Sequence, residues 1–161
     1  MKIKPYNRNS ALTYAKTWAL NRNPKYYDFS LIGGDCTNYV SQCIFAGCEQ
    51  MNYTKDIGWY YLTANNRSPA WTGVEFLHNF LITNKGLGPF AEIKTANEMQ
   101  LGDVVQLGDV NGRFYHSLLI TKISNGEIFV STHSFDAIDR PLSSYIFNQI
   151  RFLSIQGTRK N

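Results

Sequence analysis

The sequence predicts an α+β fold, with N-terminal helices packed on an antiparallel β-sheet. Three observations carry that expectation. Helical spacing of apolar residues is confined to the first half of the chain. From about residue 90 the pattern changes to short β-rich runs separated by turn residues. One of those turns, Asn125-Gly126, is among the strongest short hairpin signals.

Taken in order, "NSALTYAKTWALNRN" offers Asn9 or Ser10 as a helix cap, followed by a stripe of Ala11, Tyr14, Ala15, Trp18 and Ala19. After the "NPKYYDFS" loop, a second helix begins at "GGDCTNYVSQ". Counting from Cys36, the positions Val40, Cys43, Ile44 and Gly47 lie on one stripe. A third helix is expected over "RSPAWTGVEFLHNFLITNKG". Ser68 is its cap, Pro69 opens its first turn, Trp71, Val74, Leu77 and Leu81 form its buried stripe, and Gly86 stops it. Strands are expected at 103–107, 114–123, 127–133 and 149–156. No linker or repeat interrupts the pattern, so residues 1–161 read as a single domain.

Composition narrows the function. The 161 residues are 43% hydrophobic and 14% aromatic, an ordinary globular balance. The net charge is +4, but the basic residues are scattered and form no stripe, so no nucleic-acid partner is expected. No apolar run approaches the roughly 18 residues of a membrane span. The first 30 residues lack a signal-peptide core. The sequence thus reads as cytoplasmic as written, or as a domain excised from an exported cell-envelope protein. Three cysteines on one short stretch, with no CxxC pair, make neither a disulfide framework nor a metal knuckle, and no metal or other cofactor is expected.

The chemistry centres on Cys36. Gly33 and Gly34 allow a sharp turn, and Asp35 is expected to cap the helix. Cys36 then stands in the first helical turn, where free N–H groups and the positive dipole end favour a thiolate. Cys43 and Cys48 read as buried core thiols.

A nucleophilic cysteine needs a base, and the base an orienting partner. His78 lies in the third helix and reads as a surface or core-edge residue. His116 and His133 flank the predicted hairpin. With Asn125-Gly126 as a two-residue loop, Ser124 pairs with Glu127. The count then sets His133 opposite Leu118 and His116 opposite Phe135, so both imidazoles share one face, diagonal neighbours about 7–8 Å apart. A one-residue bulge would put them on opposite faces.

The segments "GGDCTNYVSQCIFAGC", "GWYY", "SPAW", "LGDVVQL", "YHSLLIT" and "VSTHS" resemble the papain-like "putative amidase" domains of bacteria, relatives of the NlpC-type cysteine peptidases. The resemblance runs from the first helix through His133. It implies a papain-like (NlpC-type) fold, with Cys36 as nucleophile, His116 as base and His133 as the orienting third group. It also implies a tyrosine upstream of the cysteine that helps hold the oxyanion, a role open to Tyr26 or Tyr27. Asp136 is the alternative third group. "GWYY", which includes Trp59, and Trp71 could line a cleft or sit in the core; Asn38 reads as a first-turn polar residue and Asp103 as a turn residue.

The expected activity is therefore hydrolysis of an amide bond through a thiol acyl-enzyme. The substrate is a peptide or other amide, and the NlpC-type kinship points to cell-wall peptide. Three rival readings keep the same residues: a zinc site built from Cys36, His116 and His133, an inactive peptide- or glycan-binding module, and an acyltransferase.

Overall fold

The computed structural model describes residues 1–161. A short strand, β1 (Lys2–Lys4), leads into helix α1 (Arg8–Trp18) and the cysteine helix α2 (Cys36–Cys48). A small hairpin, β2 (Tyr61–Thr63) with β3 (Asn66–Arg67), precedes α3 (Pro69–Thr72) and α4 (Val74–Thr83). The remainder is sheet: β4 (Gly88–Lys94), β5 (Val104–Gly108), β6 (Phe114–Ser124), β7 (Glu127–Thr132), β8 (Ala137–Pro141) and β9 (Gln149–Lys160). The main sheet runs β1-β9-β5-β6-β7-β8, with β4 also on β9, and its pairings are antiparallel. The architecture is α+β, helices on an antiparallel sheet. No helix is long and apolar enough to cross a membrane.

The sheet separates two apolar clusters. On one face Val104, Leu119, Leu153 and Ile155 pack with residues from all four helices; on the other, Val105, Leu107, Leu118, Ile120 and Val130 pack together. Alternation along β5 and β6 sorts neighbouring residues to these two faces.

Helix α2 lies between α1, α3 and β6. Every residue from Thr37 to Ile44 is buried, so the single stripe expected from the sequence gives way to a helix covered all round. Its polar residues are bonded rather than solvated. Ser41 Oγ donates to the Trp71 carbonyl, Tyr14 donates to Gln42 Oε1, and Asn38 Oδ1 accepts from Trp71 Nε1. Gly47 lets α1 approach: a Cβ there would meet Tyr6 at 2.4 Å, and the Asn7 N–H donates to the Gly47 carbonyl at 2.8 Å.

Several boundaries differ from expectation for local reasons. Asn7 caps α1 in place of Asn9 or Ser10, its Oδ1 accepting from the Ser10 N–H. The third predicted helix is two helices, because Gly73 is extended (φ −110°, ψ 130°), and α4 ends at Asn84 rather than Gly86. Strands β1, β4 and β8 have no counterpart among the predicted elements. They are edge or outer strands of "KIK", "GPFAEIK" and "AIDRP", with no regular apolar alternation to mark them.

The most consequential difference is in the β6–β7 hairpin. Asn125 and Gly126 form its turn with φ of 52° and 76°, and Ser124 pairs with Glu127 as expected. Then the register slips: Lys122 pairs with Phe129, but Ile120 pairs with Val130, leaving Thr121 as an extra residue. The buried Thr121 hydroxyl accepts from Ser131 Oγ at 2.8 Å and donates to Asp139 Oδ1 at 2.7 Å, which anchors the bulge. Continued past Leu119–Ser131, the shifted register sets His133 beside Ser117 on the helix face, while His116 pairs with Leu107 on the other. The shared face predicted for the two imidazoles is corrected by this one residue.

Candidate active site

The turn before α2 is built by its two glycines, with φ of 82° at Gly33 and 97° at Gly34. The N–H groups of Ile32 and Gly34 both donate to the Phe29 carbonyl, which closes the loop on itself. Asp35 does not cap α2: its side chain makes no bond to the helix N–H groups. Instead Oδ1 accepts from the Phe29 N–H and from Asn38 Nδ2, at 2.8 and 2.9 Å, and Oδ2 accepts from His133 Nδ1 at 2.7 Å. The Asp35 N–H donates to Ser134 Oγ, tying this turn to the loop after β7. The first N–H groups of α2 are left without a side-chain cap next to Cys36.

Cys36 is half-buried and lines a cavity of about 370 Å³. Burial pushes its thiol pKa up; the Ser117 N–H and Thr37 oppose that shift without cancelling it, and the Asp35 carboxylate adds to it. Behind it, Thr37 Oγ1 shares a hydrogen bond with Ser117 Oγ at 2.9 Å, and Gln106 Nε2 donates to the same Ser117 oxygen. This buried polar ladder holds the start of α2 against β6.

His116 lines the same cavity. Strand β7 ends at Thr132, so the first residues of β6 have no ladder partner on that side, and the cavity opens at the sheet end. The imidazole makes no side-chain hydrogen bond and lies 6.1 Å, centroid to centroid, from the Tyr145 ring. Burial lowers its pKa to about 4, helped by the nearby Arg140 charge. At neutral pH it is an uncharged ring with a free lone pair.

His133 sits elsewhere. It is 2% exposed and packs at a tilt against Tyr39 with ring centroids 4.3 Å apart. Nδ1 faces the Asp35 carboxylate and Nε2 faces the Trp18 carbonyl, both at 2.7 Å. Both ring nitrogens are thus engaged. Neither nitrogen is left for His116. Asp136 is engaged as well: both of its oxygens accept from Arg22 at 2.9 Å.

The structure therefore brings Cys36, Asp35 and His116 to one cavity and holds the other candidates away from it. Tyr27 packs on Phe29, donates its N–H to the Tyr61 hydroxyl and gives its carbonyl to Asn38; Tyr26 packs on Tyr61 and Trp71. Neither tyrosine lines the cavity. Trp59 and Trp71 are fully buried core residues, with indole N–H groups on Ser41 and Asn38. Asp103 is a buried anchor that accepts from Arg8, the Ile155 N–H and the Gln100 N–H. His78 bonds Asn79 on α4. Burial raises the Cys43 pKa and takes that of Cys48 to about 12. The zinc reading needs Cys36, His116 and His133 to converge; no group of three His, Cys, Asp or Glu side chains is placed to hold a metal.

Other cavity residues were not anticipated from the sequence: Tyr115, Ser134, Phe135, Arg140, Tyr145 and Ile146. Most belong to β8 and its flanking loops, where nothing in the local pattern signals chemistry.

Comparison with known proteins places this geometry in context. Residues 5–155 match the family described as "Putative amidase domain". Two relatives come from Bacillus subtilis (strain 168). "Uncharacterized protein YhbB" is 29% identical over 136 residues, covering 82% of this chain and 42% of that protein. "Uncharacterized protein YjcM" is 30% identical over 149 residues, covering 86% of this chain and 33% of that protein. The chain thus spans less than half the length of either. No solved structure gives a significant match.

Proposed function

Because the chain belongs to the family described as putative amidase domains, we propose that it is a cysteine-dependent amide-bond hydrolase, with Cys36 as nucleophile and His116 as general base. The observation that carries this reading is that the Cys36 thiol, beside an uncapped helix start, and the free imidazole of His116 line one cavity. A papain-like, NlpC-type architecture acting as one domain over residues 1–161 belongs to the same proposal.

The pKa directions favour a neutral thiol and a neutral imidazole at rest, not a preformed ion pair. As Cys36 Sγ bonds to the substrate carbonyl carbon, its proton passes to His116. The developing oxyanion accepts hydrogen bonds from the N–H groups at the start of α2; one such donor is worth about 3 kcal/mol of barrier. His116 then gives its proton to the leaving amine as the C–N bond breaks. It next takes a proton from water, which attacks the thioester and releases a carboxylic acid and free Cys36. His133 acts here as a positioning residue: it holds Asp35, and through Asp35 the turn that presents Cys36. Tyr26 and Tyr27 have no part in this mechanism.

Peptide amides are the proposed substrates, with cell-wall peptide as the candidate suggested by the NlpC-type resemblance. The test is incubation with digested peptidoglycan and with a panel of amides, wild type against Cys36→Ala, read by mass spectrometry. Products formed by the wild type alone support the proposal. Identical product profiles across all substrates overturn it, and products in which an added amine has taken the acyl group would mark an acyltransferase.

A further inference from the structure

The cavity holds one cation, Arg140, and that cation has no acidic partner. The guanidinium is fixed in place without being neutralised. Nε donates to Ser144 Oγ at 2.8 Å, Nη2 donates to the Ser144 carbonyl at 3.1 Å, and the group lies 3.8 Å from the centre of the Tyr145 ring. Nη1 makes no hydrogen bond within the protein. The other charged residue of the wall, Asp35, is 1% exposed and its carboxylate is spent on Phe29, Asn38 and His133. The Tyr145 ring backs the guanidinium, and its hydroxyl is shut off from solvent. Around the mouth, Phe135 and Ile146 are almost fully exposed, and Tyr115 is 45% exposed.

An unpaired, stacked guanidinium with Nη1 unused suits a planar anion with two oxygens. Resting on the hydrolase reading above, we propose that Arg140, held against the Tyr145 ring, forms a carboxylate-binding subsite, and that the substrate is an amide carrying a carboxylate close to the scissile bond. The apolar mouth takes the uncharged part of the same molecule. Occupancy of the subsite also acts on the base. Arg140 contributes to the low pKa of His116, so a carboxylate seated on the guanidinium offsets that charge and makes the imidazole a better proton acceptor.

The subsite can be tested before any substrate is known, by alkylating Cys36 with iodoacetate and with iodoacetamide. The two reagents differ in a carboxylate against a carboxamide. In both, the sulfur displaces iodide and the thiol proton leaves to the base or solvent. The ratio of the two rates at Cys36, read by peptide mass spectrometry, is compared between wild type and Arg140→Gln. One charge-assisted contact predicts a ratio about tenfold higher in the wild type. Arg140→Lys, which keeps the charge but not the fork, should fall between. Equal ratios in wild type and Arg140→Gln overturn the subsite. That outcome is distinct from failure of the hydrolase reading, in which the iodoacetamide rate at Cys36 would be unchanged by His116→Ala.

A second arm separates the sources of the carboxylate. Short peptides are compared as protectors of Cys36 against iodoacetamide: one with a free C-terminus, one amidated, and one amidated but carrying a glutamate side chain. Protection by the first assigns a terminal carboxylate and protection by the third an acidic side chain; equal protection by all three overturns the proposal.

Discussion

His133, just past the end of β7, and His116, on the neighbouring β6, have opposite kinds of surroundings. Around His133 most polar atoms are matched: both ring nitrogens, both Asp35 oxygens, Asn38 Nδ2 and the Asp35 N–H have partners, only Arg22 Nε, 3.8 Å from Asp35 Oδ2, is without a hydrogen bond, and the ring is buried against Tyr39. Around His116 they are not: its ring and Arg140 Nη1, in residues that line a cavity, lack a bond within the protein. A saturated network fixes a shape, and an unsaturated one is available to a ligand. Two histidines that look equivalent in the sequence thus divide into one that braces the turn before α2 and one whose ring is left without a partner on a cavity wall.

The sharpest way to break this comparison is to remove each ring in turn. His116→Ala should lower amide hydrolysis by about 10²–10⁴-fold, the usual worth of a general base, while leaving the urea midpoint nearly unchanged. His133→Ala should do the reverse in stability, costing on the order of 3 kcal/mol in urea unfolding, because it removes the hydrogen bond to buried Asp35 Oδ2 and leaves that oxygen only Arg22 Nε at 3.8 Å. If both variants lose stability equally, the division fails.

A smaller effect follows from pH. The folded-state pKa of His116 is depressed, so the unfolded chain binds the extra proton first as pH falls. The neutral ring's contribution to stability is present above pH 6.5 and is lost progressively down to about pH 4. The loss is on the order of 1–3 kcal/mol. Urea titrations across this window should show it, and His116→Gln should flatten the slope. The thiol supplies a companion test. Its raised pKa predicts that iodoacetamide labelling of Cys36 keeps increasing past pH 8.5, the region where a free thiol ionises; a plateau below pH 7 would indicate a resting thiolate.

The smallest effect is at Tyr145. Removing an unpartnered buried hydroxyl costs no hydrogen bond, so Tyr145→Phe should leave stability unchanged or raise it by up to about 1 kcal/mol, by thermal or urea unfolding. A clear loss would mean that the hydroxyl is bonded after all.

Much of this was readable in the sequence where the signal is local. The glycine pair and the cysteine at a helix start, the Asn125-Gly126 turn and the change from helical to strand periodicity all act over a few residues. What escaped is set by distant contacts. Asp35 has the chemistry of a cap, yet its oxygens are claimed by His133 and Phe29. The Thr121 bulge depends on Asp139 and Ser131, which no count along β6 can reveal. Arg140 is one scattered basic residue until β8 carries it beside His116. Trp59 and Trp71 could be read as cleft or core, and only the packing of Trp59, Trp71 and Phe80 against one another decides for the core.

The central claim is that Cys36 and His116 work as a pair. Its most direct measurement is the iodoacetamide labelling rate of Cys36 at pH 8, by peptide mass spectrometry, in the wild type, His116→Ala and an exposed-site control, Lys55→Ala. A fall of about tenfold or more in His116→Ala, with the control unchanged and the buried Cys43 and Cys48 unlabelled in all three, is the predicted result. Equal Cys36 rates in all three proteins would contradict it.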